Sequence, residues 1–305
     1  MYPLLLKPAV KDYLWGGQKL KTVYKIETEL EKAAEAWVLS NHPNGPSTVQ
    51  NGELAGMTLG KALAAWGQQP PEILVKLIDA CDRLSLQVHP DDAYAKEHHA
   101  SLGKTEMWYV LDAEPGATLI CGFEKEITTE EFAAHIAAGT PEQVVCHVPV
   151  KPGDVFFISP GTVHAIGAGI LLAEVQQNSD ITYRVWDWGR VGADGKGRPL
   201  HVEQALAVSQ TLPYPIDHAR DMGEQIEGGT LRTLASCPYF DTRAMSLNGT
   251  VSLPCDVRCV LCTGGAATLR CNGCEDISLA PASTVYIPQG LAVTLRGQAE
   301  LLWIK

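Results

Sequence analysis

The sequence predicts a mainly β fold in which short strands form sandwiches or barrels and a few helices are attached to them. Across 305 residues, 28 glycines and 19 prolines separate many short apolar runs, a pattern typical of strands joined by turns. Helical periodicity is confined to a few segments, and a second series of short apolar runs begins after residue 230. We therefore expect two β domains: residues 1–215, with additional N-terminal strands and helices, and a smaller domain of residues 216–305.

Most of the predicted elements lie in the first domain. Its strand candidates are 73–79, 83–89, 106–112, 117–122, 154–159, 170–177 and 181–186. Its helix candidates are 58–66, 91–101, 129–138 and 201–209. Residues 211–230 contain Pro213 and Pro215 and few periodic apolar residues, so we interpret them as a linker. Beyond it, strands are predicted at 239–247, 257–263, 266–271, 284–290, 292–297 and 300–305.

The composition argues against several classes of function. A formal net charge of −11 disfavours broad binding to nucleic acids or anionic membranes, because both require clustered lysine and arginine. No apolar run approaches the roughly 20 residues of a transmembrane helix, and the first residues do not resemble a secretory signal. The nine cysteines are odd in number and scattered, so we expect free thiols in a reducing cytoplasm.

An unusual row of polar side chains marks the predicted strand 83–89. Side chains two residues apart point to the same face of a strand, so Ser85, Gln87 and His89 share one face. The amide oxygen of Gln87 and the imidazole of His89 are suitable metal ligands. Glu106, at the start of the next strand, and His164, after a Pro-Gly turn, would complete a set of four.

The motifs around these four residues resemble those of the cupin superfamily. The segment 152–164, PGDVFFISPGTVH, resembles the second cupin motif, in which a strand runs into Pro, Gly and a metal-binding His. Gln87, His89 and Glu106 resemble the first motif, with Gln in place of one His. The chain as a whole resembles the type I mannose-6-phosphate isomerases in their short bacterial form. The segments that carry this resemblance are 35–45, 74–92, 103–117, 160–190 and 237–240.

This resemblance implies two cupin-type jelly-roll barrels and an aldose–ketose isomerase. The reaction would interconvert mannose 6-phosphate and fructose 6-phosphate by proton transfer between C1 and C2 through an enediol. One Zn²⁺ per chain is implied, and the ligand types also suit Mn²⁺ or Fe²⁺. With one carboxylate among four ligands, a divalent ion would keep about one positive charge for polarising a sugar oxygen.

Further roles follow from the same resemblance. Arg184 matches the family's catalytic arginine. Ser85, Lys104 and Arg190 match its phosphate-side positions, and Arg190 stands where a lysine is common. Glu174 alternates onto an inward face, where it could orient the substrate or carry a proton. Lys104, Glu174 and a metal-bound water are all candidates for the base.

The second domain is expected to lack a metal site. Residues 284–295, TVYIPQGLAVTL, follow the Pro-x-Gly pattern of a cupin strand, but Val293 stands where a ligand histidine would be. We therefore expect a degenerate barrel with an apolar lumen. Four cysteines superficially resemble paired zinc knuckles: Cys259, Cys262, Cys271 and Cys274. Strand alternation and an Asn-Gly hairpin instead favour free thiols, with an occasional disulfide across the hairpin.

Two other functions fit part of the pattern. An Fe²⁺-dependent cupin oxygenase would use a similar ligand set, although such sites usually have more histidines. A non-catalytic cupin could bind a sugar phosphate without turnover. For the isomerase, the expected partner is a small phosphorylated sugar, with no nucleic acid and no membrane, and the chain is expected to be a monomer or weak homo-oligomer.

Overall fold

A computed structural model describes residues 1–192, 195–215 and 223–305. The described strands that precede the C-terminal region are β1 Leu4–Lys7, β2 Ala9–Lys11, β3 Glu35–Leu39, β4 Thr48–Val49, β5 Ile73–Ala80, β6 Leu86–Val88, β7 Glu106–Ala113, β8 Thr118–Phe123, β9 Val145–Pro149, β10 Val155–Ile158, β11 His164–Ile166, β12 Ile170–Gln177 and β13 Tyr183–Trp186. The C-terminal strands are β14 Glu224–Ile226, β15 Gly229–Ser236, β16 Asp241–Ser252, β17 Cys259–Cys271, β18 Ile277–Leu279, β19 Thr284–Tyr286 and β20 Val293–Ile304. The α-helices are α1 Lys19–Thr22, α2 Leu59–Ala65, α3 Asp92–His99, α4 Thr129–Ala137 and α5 Val202–Val208.

These strands form three antiparallel sheets, so the mainly β prediction is confirmed. One sheet has six strands in the order β10-β7-β12-β5-β3-β2, and another has five in the order β13-β6-β11-β8-β9. The third has nine strands, ordered β14-β15-β16-β20-β17-β19-β1-β4 with β18 paired to β17. No helix among the described residues is long and apolar enough to span a membrane.

The two smaller sheets enclose the first barrel. Side chains from their facing surfaces form one apolar cluster, which includes Trp108, Leu119 and Leu172. The outer face of the five-stranded sheet is covered by α4, whose Phe132 and Ile136 are buried there, and by Ala205 of α5. A capping box at Thr128 and Glu131 fixes the start of α4, because each side chain satisfies a backbone amide of the first turn.

The nine-stranded sheet has apolar residues on both faces. One face packs against the outer side of the six-stranded sheet through residues such as Leu261 and Leu302. The other face surrounds a separate apolar cluster, the lumen of the second barrel, which contains Val260, Val293 and Leu295. The sheet also includes β1, which pairs with β19 through Leu4 opposite Tyr286. Both domains therefore contribute strands to it.

The domain boundary stays a prediction, since residues 216–222 lie outside the described residues. The linker interpretation of 211–230 is wrong at its C-terminal end, where β14 and the start of β15 pair through Ile226 and Gly229. Gly228 has a φ of +84°, a conformation that glycine adopts without steric cost. Gly228 thus allows a hairpin turn between these two strands.

Two pairs of predicted C-terminal strands are joined in the structure. The candidates 257–263 and 266–271 merge into β17, and 292–297 and 300–305 merge into β20. The pairing register shifts between Cys262 and Gly264, and Gly265 and Gly297 have φ values of +70° and +154°. These glycines are bulge and bend positions within continuous strands rather than strand ends.

Candidate active site

Three strands, β6, β7 and β11, bring the four predicted metal ligands together inside the first barrel. Gln87 lies within β6 and pairs directly with His164 at the start of β11. His89 follows β6, and Glu106 begins β7 of the facing sheet. The two sheets therefore present an amide and two imidazoles on one side and a carboxylate on the other.

The distances between these side chains suit a shared cation. One ligand atom from each of His89, Glu106 and His164 lies within 4.8 Å of the others. The His89 Nε2 atom is 3.6 Å from Glu106 Oε2, and His164 Nε2 is 3.5 Å from Glu106 Oε1. Gln87 Nε2 is 3.3 Å from His164 Nε2, and a rotation of the amide would place its oxygen in that position. It is the one such group formed by His, Cys, Asp and Glu side chains among the described residues.

Backbone carbonyls orient both imidazoles. The Nδ1 atom of His89 is 2.8 Å from the Ile181 carbonyl oxygen, and that of His164 is 2.8 Å from the Thr162 carbonyl oxygen. Because a carbonyl only accepts hydrogen bonds, each Nδ1 carries the proton and each Nε2 presents its lone pair to the shared space. Burial lowers the pKa of both histidines, to about 4 for His164. Both rings are therefore neutral at neutral pH, the form that binds metal.

Glu106 is the strongest indication that a cation belongs here. It is fully buried, and neither carboxylate oxygen accepts a hydrogen bond of normal geometry from any described residue. Lys104 Nζ lies 2.9 Å from Oε2 as an ion pair and 3.1 Å from His89 Nε2. Burial raises the pKa of Glu106 to about 7, and a bound divalent ion would lower it again. The donor set of two imidazoles, a carboxylate and an amide fits a divalent ion.

A cavity of about 350 Å³ opens beside this group. Five of the residues predicted from the sequence line it: Ser85, Gln87, Lys104, Glu174 and Arg184. Arg184 Nε donates to Ser85 Oγ over 3.3 Å, and Nη1 donates to the Pro199 carbonyl oxygen over 2.8 Å. The guanidinium is thus anchored on one side while it faces the cavity. Burial and the nearby Arg198 lower the pKa of Arg184, although a guanidinium stays charged at physiological pH.

Glu174 is held as a buried carboxylate. Its Oε1 accepts a hydrogen bond from Lys76 Nζ at 2.8 Å and its Oε2 accepts one from Trp108 Nε1 at 2.9 Å. Burial raises the pKa of Glu174, but Lys76 and the hydrogen bonds outweigh it and lower the pKa to about 2. Lys76 Nζ also lies 3.9 Å from Glu35 Oε2. A carboxylate so fully paired is suited to orienting a ligand or balancing Lys76.

Sequence reasoning missed Lys76 and Glu35, which also line the cavity. A signal for Lys76 was present, because it is the one cation in the strand ILVKLIDA, all eight residues of which are buried. Lysine is almost never fully buried without a partner. A lysine in the middle of an apolar strand therefore indicates a buried carboxylate nearby, here Glu174 from the adjacent strand β12.

Arg190, the arginine predicted on the phosphate side, lies outside the wall of the cavity. Arg190 donates to the Arg83 carbonyl oxygen over 2.7 Å and to Asp187 Oδ1 over 2.6 Å, and it is not among the residues that line the cavity. Arg198 lines the cavity instead. Arg198 follows a Gly-rich loop, of which residues 193 and 194 lie outside the described residues. Its distance along the sequence from the strand motif therefore did not indicate that its side chain would reach the cavity.

Comparisons with known proteins identify the family of this chain. Residues 4–124 match the family model described as phosphomannose isomerase type I, catalytic domain. The mannose-6-phosphate isomerase of Streptococcus mutans is 40% identical over 258 residues, which cover 82% of this chain and 81% of that protein. The chain belongs to the type I mannose-6-phosphate isomerases.

Other members of this isomerase family extend the likeness. ManA of Bacillus subtilis, a mannose-6-phosphate isomerase, is 41% identical over 260 residues, which cover 82% of this chain and 81% of that protein. The crystal structure of the mannose 6-phosphate isomerase from B. subtilis superposes with a TM-score of 0.92 at 31% identity, covering 100% of both chains. Membership of the family implies a metal cofactor, and the group of His89, Glu106 and His164 is where the described chain fits one.

Proposed function

We propose that this isomerase interconverts mannose 6-phosphate and fructose 6-phosphate at the described cavity, beside a Zn²⁺ ion held by Gln87, His89, Glu106 and His164. Membership of the family makes the chain an aldose–ketose isomerase. The observation that carries the assignment of the site is the buried Glu106 carboxylate, whose oxygens lie 3.6 Å from His89 Nε2 and 3.5 Å from His164 Nε2. When bound, the ion supplies a Lewis acid that favours the negative charge developing on the oxygens at C1 and C2. The absence of thiolate ligands leaves Mn²⁺ and Fe²⁺ as alternatives.

Arg184 is the group proposed to stabilise the same charge from the protein side. Its guanidinium faces the cavity while Ser85 and the Pro199 carbonyl hold it in place. Such preorganised donors are effective because they need little reorganisation when charge develops on the substrate. A planar fork can also contact two vicinal oxygens at once, as an enediolate would present them.

Proton transfer between C1 and C2 requires a base beside the substrate, and Lys104 and Glu174 are both in the cavity wall. Glu174 is fixed by Lys76 and Trp108 and its pKa is depressed to about 2, which makes it a weak base at neutral pH. We therefore assign Glu174 to orientation of the sugar. Lys104 is close to the proposed metal ligands, 2.9 Å from Glu106, and is the better placed of the two to carry the proton.

Hydrogen exchange separates these two roles. In D₂O, an enediol mechanism exchanges substrate hydrogen at C1 or C2 with solvent. Lys104→Met should lose both isomerisation and exchange, whereas Glu174→Gln should weaken both together with substrate affinity. Exchange retained in Lys104→Met but lost in Glu174→Gln would reverse the assignment.

The phosphate is assigned to the cationic side of the cavity. With a net charge of −11, the protein as a whole repels a sugar phosphate, so attraction must come from local cations. Lys104, Arg184 and Arg198 line the cavity beside Ser85, in addition to Lys11 and Lys76. Arg190 does not line the cavity but shares the Asp187 carboxylate with Arg198, since both donate a hydrogen bond to Asp187 Oδ1.

The decisive experiment incubates purified protein with mannose 6-phosphate, with and without a chelator, and measures fructose 6-phosphate. We expect turnover that chelation abolishes and added Zn²⁺ restores. Full turnover by metal-free protein would reject the metal assignment. Binding without turnover would indicate a non-catalytic sugar-phosphate protein, and a requirement for O₂ would indicate an oxygenase.

A further inference from the structure

The segment after β13 carries a buried carboxylate among several arginines. Asp187 is 6% exposed and accepts hydrogen bonds from two guanidinium groups. Arg198 donates to both of its oxygens, from Nε over 2.7 Å and from Nη2 over 2.6 Å. Arg190 Nη2 donates to the same carboxylate over 2.6 Å. Two parallel bonds between a guanidinium and a carboxylate fix the position and the plane of the guanidinium.

The backbone around Asp187 is held in an uncommon conformation. Trp188 has a φ of +59°, a left-handed conformation that costs a bulky residue of the order of 1–3 kcal/mol. Its Nε1 donates to the Leu84 carbonyl oxygen over 2.7 Å, and the Arg83 guanidinium lies 3.9 Å from the centre of its ring. Arg190 adds a bond to the Arg83 carbonyl oxygen. These contacts dock the segment on the chain just before Ser85.

The same contacts decide which arginine faces the cavity. Arg190 is turned toward the Arg83 backbone, with 17% of its side chain exposed. Arg198 is 31% exposed and lies in the cavity wall with Ser85 and Arg184. Since Asp187 takes the Nε and one Nη2 hydrogen of Arg198, the Nη1 group and the second Nη2 hydrogen are left for other acceptors. The chain that follows Arg198 is also fixed, because the Pro199 carbonyl accepts from Arg184.

Given the isomerase function proposed above, we propose that Asp187 is a positioning residue that holds the Arg198 guanidinium at the cavity as a ligand for the phosphate of the substrate. Arg184, Arg190 and Arg198 repel one another, and Asp187 is the carboxylate that lets them lie close together. Among the described residues, Asp187 is the one hydrogen-bond and ion-pair partner of the Arg198 side chain. Arg190 serves as a support of Asp187 and not as a phosphate ligand.

Positioning and simple charge balance predict opposite effects of Asp187→Asn. Removal of one negative charge makes the cavity more positive, so charge alone would tighten phosphate binding. Loss of the two parallel bonds instead releases Arg198. We expect the KM for mannose 6-phosphate and the inhibition constant of inorganic phosphate to rise about 10- to 100-fold, the range of one hydrogen bond to a charged group. We expect kcat to change less than about threefold, because the reacting carbons lie beside the metal ligands.

The matched control is Asp82→Asn, which makes the same chemical change 3.4 Å from Arg190 Nη1 on the exposed side. It should leave KM within about twofold of the wild-type value. Arg198→Lys keeps the charge but cannot form two parallel bonds, so it should raise KM about as much as Asp187→Asn. The double variant should be no worse than the more severe single one, since both changes break the same contact.

Several outcomes would overturn the proposal. One is an unchanged or lower KM in Asp187→Asn. Another is a 10- to 100-fold loss of kcat in that variant with KM unchanged. A third is a rise in the KM of the double variant that equals the product of the rises in the two single variants. Should Asp187→Asn fail to fold, Arg198→Lys alone carries the test, because Arg198 is partly exposed. Calorimetry with inorganic phosphate repeats the comparison without turnover. Inactive wild-type protein with Asp187-dependent phosphate binding would therefore reject the proposed reaction but not the role of Asp187.

Discussion

The two barrels enclose interiors of different chemistry. Every Asp, Glu, Lys and His that is buried among the described residues precedes residue 216: Glu35, Lys76, Asp79, His89, Lys104, Glu106, His164, Glu174 and Asp187. In the described C-terminal range 223–305, the buried polar residues are Thr242 and Thr284 alone. Buried charges are costly unless they are paired or bind an ion. The first barrel therefore carries its polar interior for function, and the second gains stability from apolar burial.

Val293 and His164 show this difference at one position of the motif. Each follows a turn that contains Pro and Gly and each begins a strand, β20 or β11. His164 Nε2 lies 3.5 Å from Glu106 Oε1, whereas Val293 packs in the apolar cluster of the second lumen. One change of residue type separates a position that can bind a metal from one that can only pack.

The largest effect is expected from His164→Ala. Loss of one imidazole leaves an incomplete ligand set, so kcat/KM should fall by about 10³-fold or more and bound metal should be lost. Steady-state kinetics and elemental analysis of the purified variant measure both quantities. Near-normal activity with metal retained would show that the ion is held elsewhere.

Lys76→Met tests the charged interior of the first barrel. The substitution leaves Glu174 and Glu35 without their common cation, and breaking a buried ion pair from one side typically costs about 3–5 kcal/mol. Chemical denaturation should show this loss, together with a loss of activity. The double variant Lys76→Met/Glu174→Gln should be more stable than Lys76→Met alone, because one unpaired charge is removed. Equal or lower stability of the double variant would refute the pairing.

Val293→Ala tests the apolar interior of the second barrel. Removing two buried methyl groups should lower the free energy of unfolding by about 1–3 kcal/mol. Activity per folded molecule should stay within about twofold, since the group of metal-ligand side chains found among the described residues lies in the first barrel. A loss of activity that exceeds the loss of folded protein would instead show that the second barrel acts on the site directly.

The smallest effect concerns acid stability. The folded-state pKa of Glu174 is about 2, below its ordinary value of 4.5, so its contribution is fully present above about pH 5 and is lost as pH falls toward 2. In this pH range the wild-type protein should take up as much as about one more proton on unfolding than Glu174→Gln, so its free energy of unfolding should depend more steeply on pH. Unfolding curves measured between pH 5 and pH 2.5 give the slope for both proteins. An unchanged slope would mean that Glu174 is not held as a carboxylate.

The sequence sufficed for the parts of the molecule that depend on local motifs. The four proposed ligands lie within recognisable strand ends, and the seven strands and four helices expected before residue 215 are present with shifted ends. Glu35 and Lys76 could not be paired with Glu174 from the sequence, because they lie on separate strands whose order is set by packing. The pairing of β1 with β19 is also non-local. Arg198 was missed because it follows a loop whose path, and therefore the position of the Arg198 side chain, has no local sequence motif.

We propose that one ion is held by four side chains of the first barrel. This proposal is tested most directly by a crystal structure with anomalous data collected at the absorption edge of the metal found in the purified protein. We expect one strong peak, contacted by Gln87, His89, Glu106 and His164. A peak at the C-terminal cysteines, or active crystals with no peak between β6, β7 and β11, would contradict it.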